Sequence, residues 1–187
     1  QPCYEDWLEH SSYDEYWDSI NILKKAPQIS APILSIVGWH DNFLKSHFDL
    51  YRKITSVGAE PGRSNHRMVV GPWEHASYVN PFSTSANGVW NFGLEASSGV
   101  GLSGGLVLDW MDRWVKEETN DKVSGVRYWQ MGENHWNDVD VWPPLGVETS
   151  WYLSSEGGEA AARNEGELVL EVPAQQDADA FEYDPTD

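Results

Sequence analysis

Apolar runs and amphipathic segments alternate along the first part of the chain. Residues 33–37 form a compact apolar run rich in β-branched side chains, which is typical of a strand buried on both faces. The segment that follows places Leu44, Phe48, Tyr51 and Ile54 on one face at helical spacing. This order predicts a buried strand followed by an amphipathic helix.

The same alternation continues downstream. Residues 68–70 are a second short strand candidate, residues 106–116 form an amphipathic helix, and residues 126–131 are a third strand candidate. The inward face of that helix is predicted to carry Val107, Trp110, Met111 and Trp114. Strands that alternate with helices in this rhythm predict an α/β fold with a parallel sheet and right-handed crossovers.

The two ends of the chain have a different character. Residues 4–22 are rich in Tyr, Trp, Asp and Glu, with apolar positions spaced as in a helix. Beyond residue 145, short strand candidates at 150–153 and 167–172 alternate with turns rich in Gly, Ala and acidic residues. This pattern favours the opening of a β-sandwich domain, with a boundary near residue 145.

Charge excludes one class of partner. The net charge is −18, and residues 148–187 carry eleven acidic residues against one basic residue, Arg163. An acidic surface repels phosphate backbones, so we expect no nucleic-acid partner. The acidic stretch is either a solvated face or, in part, a calcium site, although the chain has no EF-hand loop pattern.

Composition adds further limits. Eleven Trp residues suit a large core and aromatic-lined pockets. Cys3 is the single cysteine, which excludes an internal disulfide, and no run of 18 apolar residues is present to span a membrane. The chain starts at Gln1 without an initiator Met or a signal-peptide pattern, and it stops without a closing element. We expect both ends to continue in a longer polypeptide, and the localisation is not indicated.

Two polar residues lie just past the carboxyl ends of predicted parallel strands: Asp41 and His75. The carboxyl edge of an open α/β sheet is where ligands bind and catalytic loops gather. The order Asp before His, 34 residues apart, matches the last two members of the hydrolase order Ser, Asp, His. A carboxylate that accepts Nδ1–H would fix the tautomer of the imidazole. The alternative is that Asp41 caps the following helix and His75 is an ordinary loop residue.

Motifs along nearly the whole chain resemble the X-prolyl dipeptidyl-peptidase and cocaine-esterase family, which includes the α-amino acid ester hydrolases. They occur in the same order as in the family. The matching segments are HSSYDEYW at 10–17, APIL at 31–34, GWHDNF at 38–43, VGPWEH at 70–75, DWMDRW at 109–114, MGENHW at 131–136, WPP at 142–144, WYL at 151–153 and YDP at 183–185.

The resemblance implies a fold and an activity. Residues 1–22 would be the tail of a helical cap, residues 23–145 the second half of an α/β-hydrolase core, and residues 146–187 the beginning of a jelly-roll domain. Asp41 and His75 would be the triad Asp and His. Family members hydrolyse esters or amides, including X-Pro peptides, through an acyl-enzyme, and they need neither a metal nor an organic cofactor.

One departure from the family concerns the nucleophile. In the family, the nucleophilic Ser and the Tyr of the oxyanion hole lie upstream of the cap, and neither is in this chain. The string from Gly101 to Gly105 has a G-x-S-x-G pattern around Ser103, but it follows His75 and no strand precedes it, as a nucleophile elbow requires. We therefore expect the chain alone to be inactive, with its nucleophile supplied by a missing N-terminal half.

Two interpretations are open for each of the other candidate residues. Phe43 either lines the acyl pocket or packs under the helix, and Trp39 and Trp73 either support the catalytic loops or contact substrate. Asp14 and Glu15 are either exposed or meet a substrate ammonium. The remaining His residues lack H-x-x-x-H or H-E-x-x-H spacing, so no zinc site is predicted.

Two other classes of function stay open. One is a Trp-rich, acidic module that binds carbohydrate or another ligand, although such modules are usually all-β. The other is a pseudoenzyme or partner subunit that keeps Asp41 and His75 without a nucleophile. The sequence does not indicate the substrate or the oligomeric state.

Overall fold

A computed structural model describes most of the chain. The described residues are 2–75, 80, 82, 85–86, 90–102, 105–117, 125–154, 166–173 and 185–186. The chain divides into two compact units, Gln1–Pro144 and Leu145–Asp187, and each is described by itself. The assignment of cap, core and jelly-roll segments stays a prediction.

Three short helices open the first unit: α1 (Pro2–Glu9), α2 (Glu15–Ile20) and α3 (Ile22–Lys25). The side chain of Asp14 accepts the N–H of Tyr16 at the start of α2, and Asn21 accepts the N–H of Leu23 at the start of α3. Side-chain oxygens at these positions satisfy N–H groups that the first turn of a helix leaves unpaired. The helical pattern at residues 4–22 is therefore divided among separate helices.

The α/β part of the first unit carries most of its strands and helices. A turn of 3₁₀ helix, Ala26–Gln28, precedes it, and a second one, Leu94–Ala96, lies within it. The elements in chain order are β1 (Ile33–His40), α4 (Leu44–Val57), β2 (His66–Glu74), β3 (Ser85–Ala86), β4 (Trp90–Asn91), α5 (Ser98–Gly101), α6 (Leu106–Val115), β5 (Gly125–Gln130) and β6 (His135–Val139).

The principal sheet has the order β1-β2-β5-β6. Strands β1, β2 and β5 are parallel, and β6 is antiparallel to β5. The expectation of an α/β fold with a mostly parallel sheet is thus confirmed, and a pair of buried Val residues, Val37 and Val70, lies in its core. The antiparallel strand β6 was not predicted, because it is mostly polar and only its hairpin turn, with left-handed Gly132 and Asn134, marks it.

Strand β2 is longer than predicted. It continues through Gly71 and Pro72 to Glu74, whereas its pairing with β5 covers only Arg67 to Val70. Pro72 therefore lies beyond that ladder, where its missing N–H costs no hydrogen bond to β5. This extension carries the chain to the edge of the sheet where Asp41 lies.

The inward face of α6 is narrower than predicted. Trp110 is buried and lies next to Trp114, with 6.0 Å between their ring centroids. Val107 and Met111 are exposed, so their placement on the inward face was wrong. Val107 and Met111 lie on a stripe of the helix about 60° around its axis from the stripe that carries Trp110 and Trp114. The buried face of α6 does not extend to this second stripe.

The second unit contributes one described strand pair. Strands β7 (Tyr152–Ser154) and β8 (Glu167–Val169) are antiparallel, with Leu153 opposite Leu168. The jelly-roll domain expected there stays a prediction. In neither unit do the described residues form a helix with the length and apolar character needed to cross a bilayer.

Candidate active site

Asp41 lies at the carboxyl end of β1, in a turn that the backbone closes on both sides. Its N–H donates to the carbonyl of Gly38 and its carbonyl accepts the N–H of Leu44, each at 3.1 Å. The strand reaches this turn through a close approach to β2: a Cβ on Gly38 would lie 2.0 Å from the carbonyl oxygen of Trp73. A side chain at position 38 is therefore excluded, and the ends of β1 and β2 lie against each other.

The strand register brings Asp41 and His75 together. His40 pairs with Glu74 across β1 and β2, so Asp41 and His75 are each the next residue along parallel neighbours. Nδ1 of His75 lies 3.2 Å from Oδ1 and 3.1 Å from Oδ2 of Asp41. Carboxylate and imidazole are thus within hydrogen-bond distance at the carboxyl edge of the sheet.

The two side chains differ in their access to solvent. The Asp41 side chain is 3% exposed, whereas the His75 side chain is 57% exposed. A buried carboxylate needs hydrogen-bond donors, and Asp41 Oδ1 also accepts the N–H of Phe43 at 2.8 Å. The pair therefore consists of a buried carboxylate acceptor and an imidazole that is more than half exposed.

Phe43 touches this pair directly. Its ring lies edge-on to the imidazole of His75, with 5.0 Å between ring centroids, and the residue is 49% exposed. Phe43 also lines an open cavity of about 450 Å³. Both interpretations of Phe43 therefore stay open, and its contact with substrate is taken up below as a proposal.

Trp39 and Trp73 hold the strand ends in place. The indole N–H of Trp73 donates to the carbonyl of Ala96 at 2.8 Å, and Trp73 is fully buried. The indole N–H of Trp39 donates to the carbonyl of Trp129 at 2.6 Å. Both rings are therefore anchored by hydrogen bonds within the fold, as buried Trp residues usually are.

Two other predicted site residues, Asp14 and Glu15, lie at the start of α2. Asp14 accepts a hydrogen bond from His10 Nδ1 at 2.6 Å, and this bond lowers the pKa of Asp14. Glu15 is exposed at the start of α2. Ser103 lies outside the described residues. In the part of the chain that the structure covers, no cluster of three or more His, Cys, Asp or Glu side chains is arranged to hold a metal ion.

His47 is a neighbour of the pair that the sequence analysis did not single out. It lies one helical turn after Phe43, and its backbone N–H donates to the backbone carbonyl of Phe43 at 3.1 Å. Burial lowers the pKa of His47, while the charge of Asp41 raises that pKa and the charge of His75 lowers it. The only sequence signal for His47 was its position four residues after Phe43, since residues i and i+4 lie on the same face of a helix.

A Ser–His contact occurs elsewhere in the sheet. Ser35 Oγ lies 2.9 Å from His66 Nε2, and the two residues are 6% and 1% exposed. Burial lowers the pKa of His66 to about 4. Because neither side chain is accessible to a substrate, we interpret this contact as a structural hydrogen bond.

Comparisons with known proteins find similarity to hydrolases. Residues 1–77 match the family model of X-Pro dipeptidyl-peptidases of the S15 family. Cocaine esterase from Rhodococcus sp. (strain MB1 Bresler) is 28% identical over 184 residues, which are 96% of this chain and 30% of that protein. The names of these matches describe an esterase and a peptidase family, both of which are hydrolases. The resemblance to the X-Pro dipeptidyl-peptidase and cocaine-esterase family is thereby confirmed.

A solved structure supports the fold. An aminopeptidase from the marine sediment archaeon Thaumarchaeota archaeon matches with a TM-score of 0.71 at 22% identity, over 95% of this chain and 27% of that one. At this identity the match bears on the fold alone. The chain spans less than a third of the length of either protein, 30% of the esterase and 27% of the aminopeptidase.

Proposed function

We propose that this chain supplies the Asp and the His of a Ser-His-Asp triad, in a serine hydrolase that cleaves ester or amide bonds, including X-Pro peptide bonds, through an acyl-enzyme. The observation that carries the proposal is the contact between Asp41 and His75 at the carboxyl edge of the parallel sheet. The similarity of the chain to an esterase and to a peptidase family supports the same reaction class.

The proposed chemistry uses both ring nitrogens of His75. Nδ1–H donates to Asp41, which leaves Nε2 as the base. Nε2 takes the proton of a serine hydroxyl while Oγ bonds to the substrate carbonyl carbon and the carbonyl electron pair moves to oxygen. When the C=O bond re-forms, the leaving alcohol or amine departs with the proton from Nε2. Water then repeats the sequence on the acyl-serine and releases the acid.

The burial of Asp41 suits this role. His75 becomes an imidazolium when it holds the serine proton, and a carboxylate 3.1 Å away stabilises that charge. The low exposure of Asp41 reduces solvent screening of this interaction. In the proposal the serine and the oxyanion-hole donors come from polypeptide outside these 187 residues.

Phe43 is proposed to line the acyl pocket. Its half-exposed ring contacts the His75 imidazole, so an acyl group on the serine would lie beside it. An apolar ring suits acyl groups of ester or amide substrates, because its contact removes apolar surface from water. No metal or organic cofactor enters the proposed reaction.

The experiment uses the complete polypeptide that carries these residues and measures hydrolysis of a p-nitrophenyl ester. We expect Asp41→Asn and His75→Ala to lower kcat by roughly 10³-fold or more. The matched control is Asp112→Asn, because Asp112 is a carboxylate on α6 paired with Lys116 at 2.6 Å. Unchanged kcat in His75→Ala, or a complete polypeptide without a fluorophosphonate-reactive serine, would contradict the proposal.

A ligand-binding module remains the runner-up, because exposed Trp residues occur at Trp7, Trp90 and Trp151. The mostly parallel sheet of the first unit disfavours it, since such modules are usually all-β, and other Trp residues are inaccessible. Trp73, Trp110 and Trp129 are buried. These rings contribute to the core and are not available to stack on sugars. The pseudoenzyme alternative is decided by the fluorophosphonate experiment, which reports whether a reactive serine accompanies the pair.

A further inference from the structure

An open cavity of about 450 Å³ is lined in part by Phe43, which neighbours the Asp41–His75 pair. Phe43 connects the two, because its ring contacts His75 and also lines the cavity. The remaining apolar wall comes from the segment α2–α3 and from α4: Ile20, Ile22, Leu23 and Leu50. A predominantly apolar wall with few polar groups is typical of sites that bind small organic molecules.

Two of the polar side chains in this wall are already engaged. Asn21 Oδ1 accepts the N–H of Leu23 at 3.0 Å, and its Nδ2 donates to the hydroxyl of Tyr13 at 2.8 Å. The carboxylate of Asp49 is paired with Lys45 and Arg52. Both groups therefore have partners within the fold, and the other polar residues of the wall are Ser46 and His47.

The imidazole of His47 has an asymmetric environment. Its Nδ1 is buried and has no hydrogen-bond partner among the described residues, so Nε2 is the nitrogen that a bound molecule can reach. A neutral imidazole carries one N–H. Leaving an N–H buried without an acceptor is more costly than leaving an acceptor unpaired, so the proton belongs on Nε2. The cavity wall thus offers an N–H donor.

We propose that His47 is a specificity-determining residue of this cavity, whose Nε2–H donates to a carbonyl or ether oxygen on an otherwise apolar, uncharged part of the substrate. That the bound molecule is a substrate rests on the proposed hydrolase function, whereas its binding to the cavity does not require hydrolysis. The side chains of the cavity wall account for this specificity. The apolar side chains favour an uncharged group, and the Nε2–H donor favours a group that carries an acceptor oxygen.

The test compares two probes of nearly the same shape on the 187-residue chain. Acetophenone carries a carbonyl oxygen, and α-methylstyrene carries a CH₂ group in its place. Dissociation constants are measured by ¹H–¹⁵N NMR titration for the native chain, His47→Leu, His47→Gln and Ser46→Ala. Because a typical hydrogen bond contributes about 1 kcal/mol, we expect the ratio of the two dissociation constants to shift about fivefold against acetophenone in His47→Leu.

The variants distinguish the loss of the hydrogen-bond donor at residue 47 from a general change in the packing of the cavity wall. His47→Gln keeps an N–H donor and should retain much of the native ratio, and Ser46→Ala, which removes the neighbouring hydroxyl from the same wall, should leave it unchanged. Shifts of amide signals should centre on Leu23, His47 and Leu50. An unchanged ratio in His47→Leu, a loss in Ser46→Ala instead, no binding, or binding mapped elsewhere would each overturn the inference.

Failure here and failure of the hydrolase proposal are distinguishable. The binding ratio depends on His47 and is measured without turnover. The hydrolase proposal depends on Asp41 and His75 and is measured by kcat. Binding with the expected ratio but no serine-dependent hydrolysis would leave a small-molecule site without the proposed reaction.

Discussion

The carboxylate of Asp41 accepts two donors at once: the backbone N–H of Phe43 at 2.8 Å and Nδ1 of His75 at 3.1 Å. The first contact closes the turn before α4, and the second orients the imidazole. The helix itself begins at Leu44, so Asp41 forms an Asx turn ahead of it, where a cap of the helix was the alternative interpretation. One side chain therefore has a local structural role and the proposed catalytic role together.

Two substitutions at position 41 should separate these roles. Asp41→Asn keeps an oxygen that can accept the N–H of Phe43, whereas Asp41→Ala removes it. We expect Asp41→Ala to lower the free energy of unfolding by about 1 kcal/mol more than Asp41→Asn does. The measurement is urea unfolding followed by Trp fluorescence. Equal stabilities would mean that the turn does not depend on this hydrogen bond.

Gly38→Ala should disturb the same region through sterics alone. Its Cβ would meet the carbonyl oxygen of Trp73 at 2.0 Å, so the ends of β1 and β2 must separate. We expect a loss of about 3 kcal/mol in the free energy of unfolding, at the upper end of overpacking costs. Gly146→Ala is the control, because a Cβ there meets nothing within 4 Å. Its stability should stay within about 0.5 kcal/mol of the native chain.

His66 should make the stability of the chain depend on acid. Burial lowers its folded-state pKa from 6.5 to about 4, so between these values the unfolded chain binds a proton that the folded chain does not. Lowering the pH through this window therefore favours unfolding, and above pH 6.5 the effect is absent. From pH 7 to pH 5 we expect His66 to reduce the free energy of unfolding by about 2 kcal/mol.

A double substitution provides the control for His66. Ser35→Ala with His66→Leu removes both partners of the buried hydrogen bond, which costs less than orphaning one of them. The variant should lose most of the acid dependence in urea unfolding curves recorded at pH 5, 6 and 7. A variant with the native slope would assign that dependence to other groups.

The 187-residue chain alone should not hydrolyse p-nitrophenyl esters faster than its own His75→Ala variant. The reason is that the proposal takes the serine hydroxyl from polypeptide outside the chain, and a triad without its nucleophile retains little catalysis. Initial rates at equal protein concentration provide the measurement. A rate at least tenfold above that of His75→Ala would indicate a nucleophile within these residues.

The sequence predicted the principal strands better than the elements at the margins. The segments at 33–37, 68–70 and 126–131 contribute buried residues to the core, including Val37, Val70 and Val126, and such segments stand out in a sequence. Strand β6 is polar and pairs on one side, so it lacks that signal. The exposure of Val107 depends on how α6 packs, which residue spacing on a helix does not determine.

The candidate site was predictable in part. The sequence marks Asp41 and His75 because each follows a predicted strand, but their contact depends on the register that pairs His40 with Glu74. Register arises from packing between strands and cannot be read from spacing along the chain. The role of His47 could not be predicted for a related reason. It depends on one buried ring nitrogen in a cavity wall, and the segments that form that wall are separated in the sequence.

Strand β1 stands at one end of the sheet order, with β2 as its neighbour among the described strands. In a parallel ladder, alternate amides of an edge strand point away from their single partner. The segment that leads to Asp41 should therefore show two populations in hydrogen–deuterium exchange, one slow and one fast, in strict alternation. Any polypeptide that later covered this edge would slow the second population, and the protection of β1 would then report on the environment of the carboxylate at its tip.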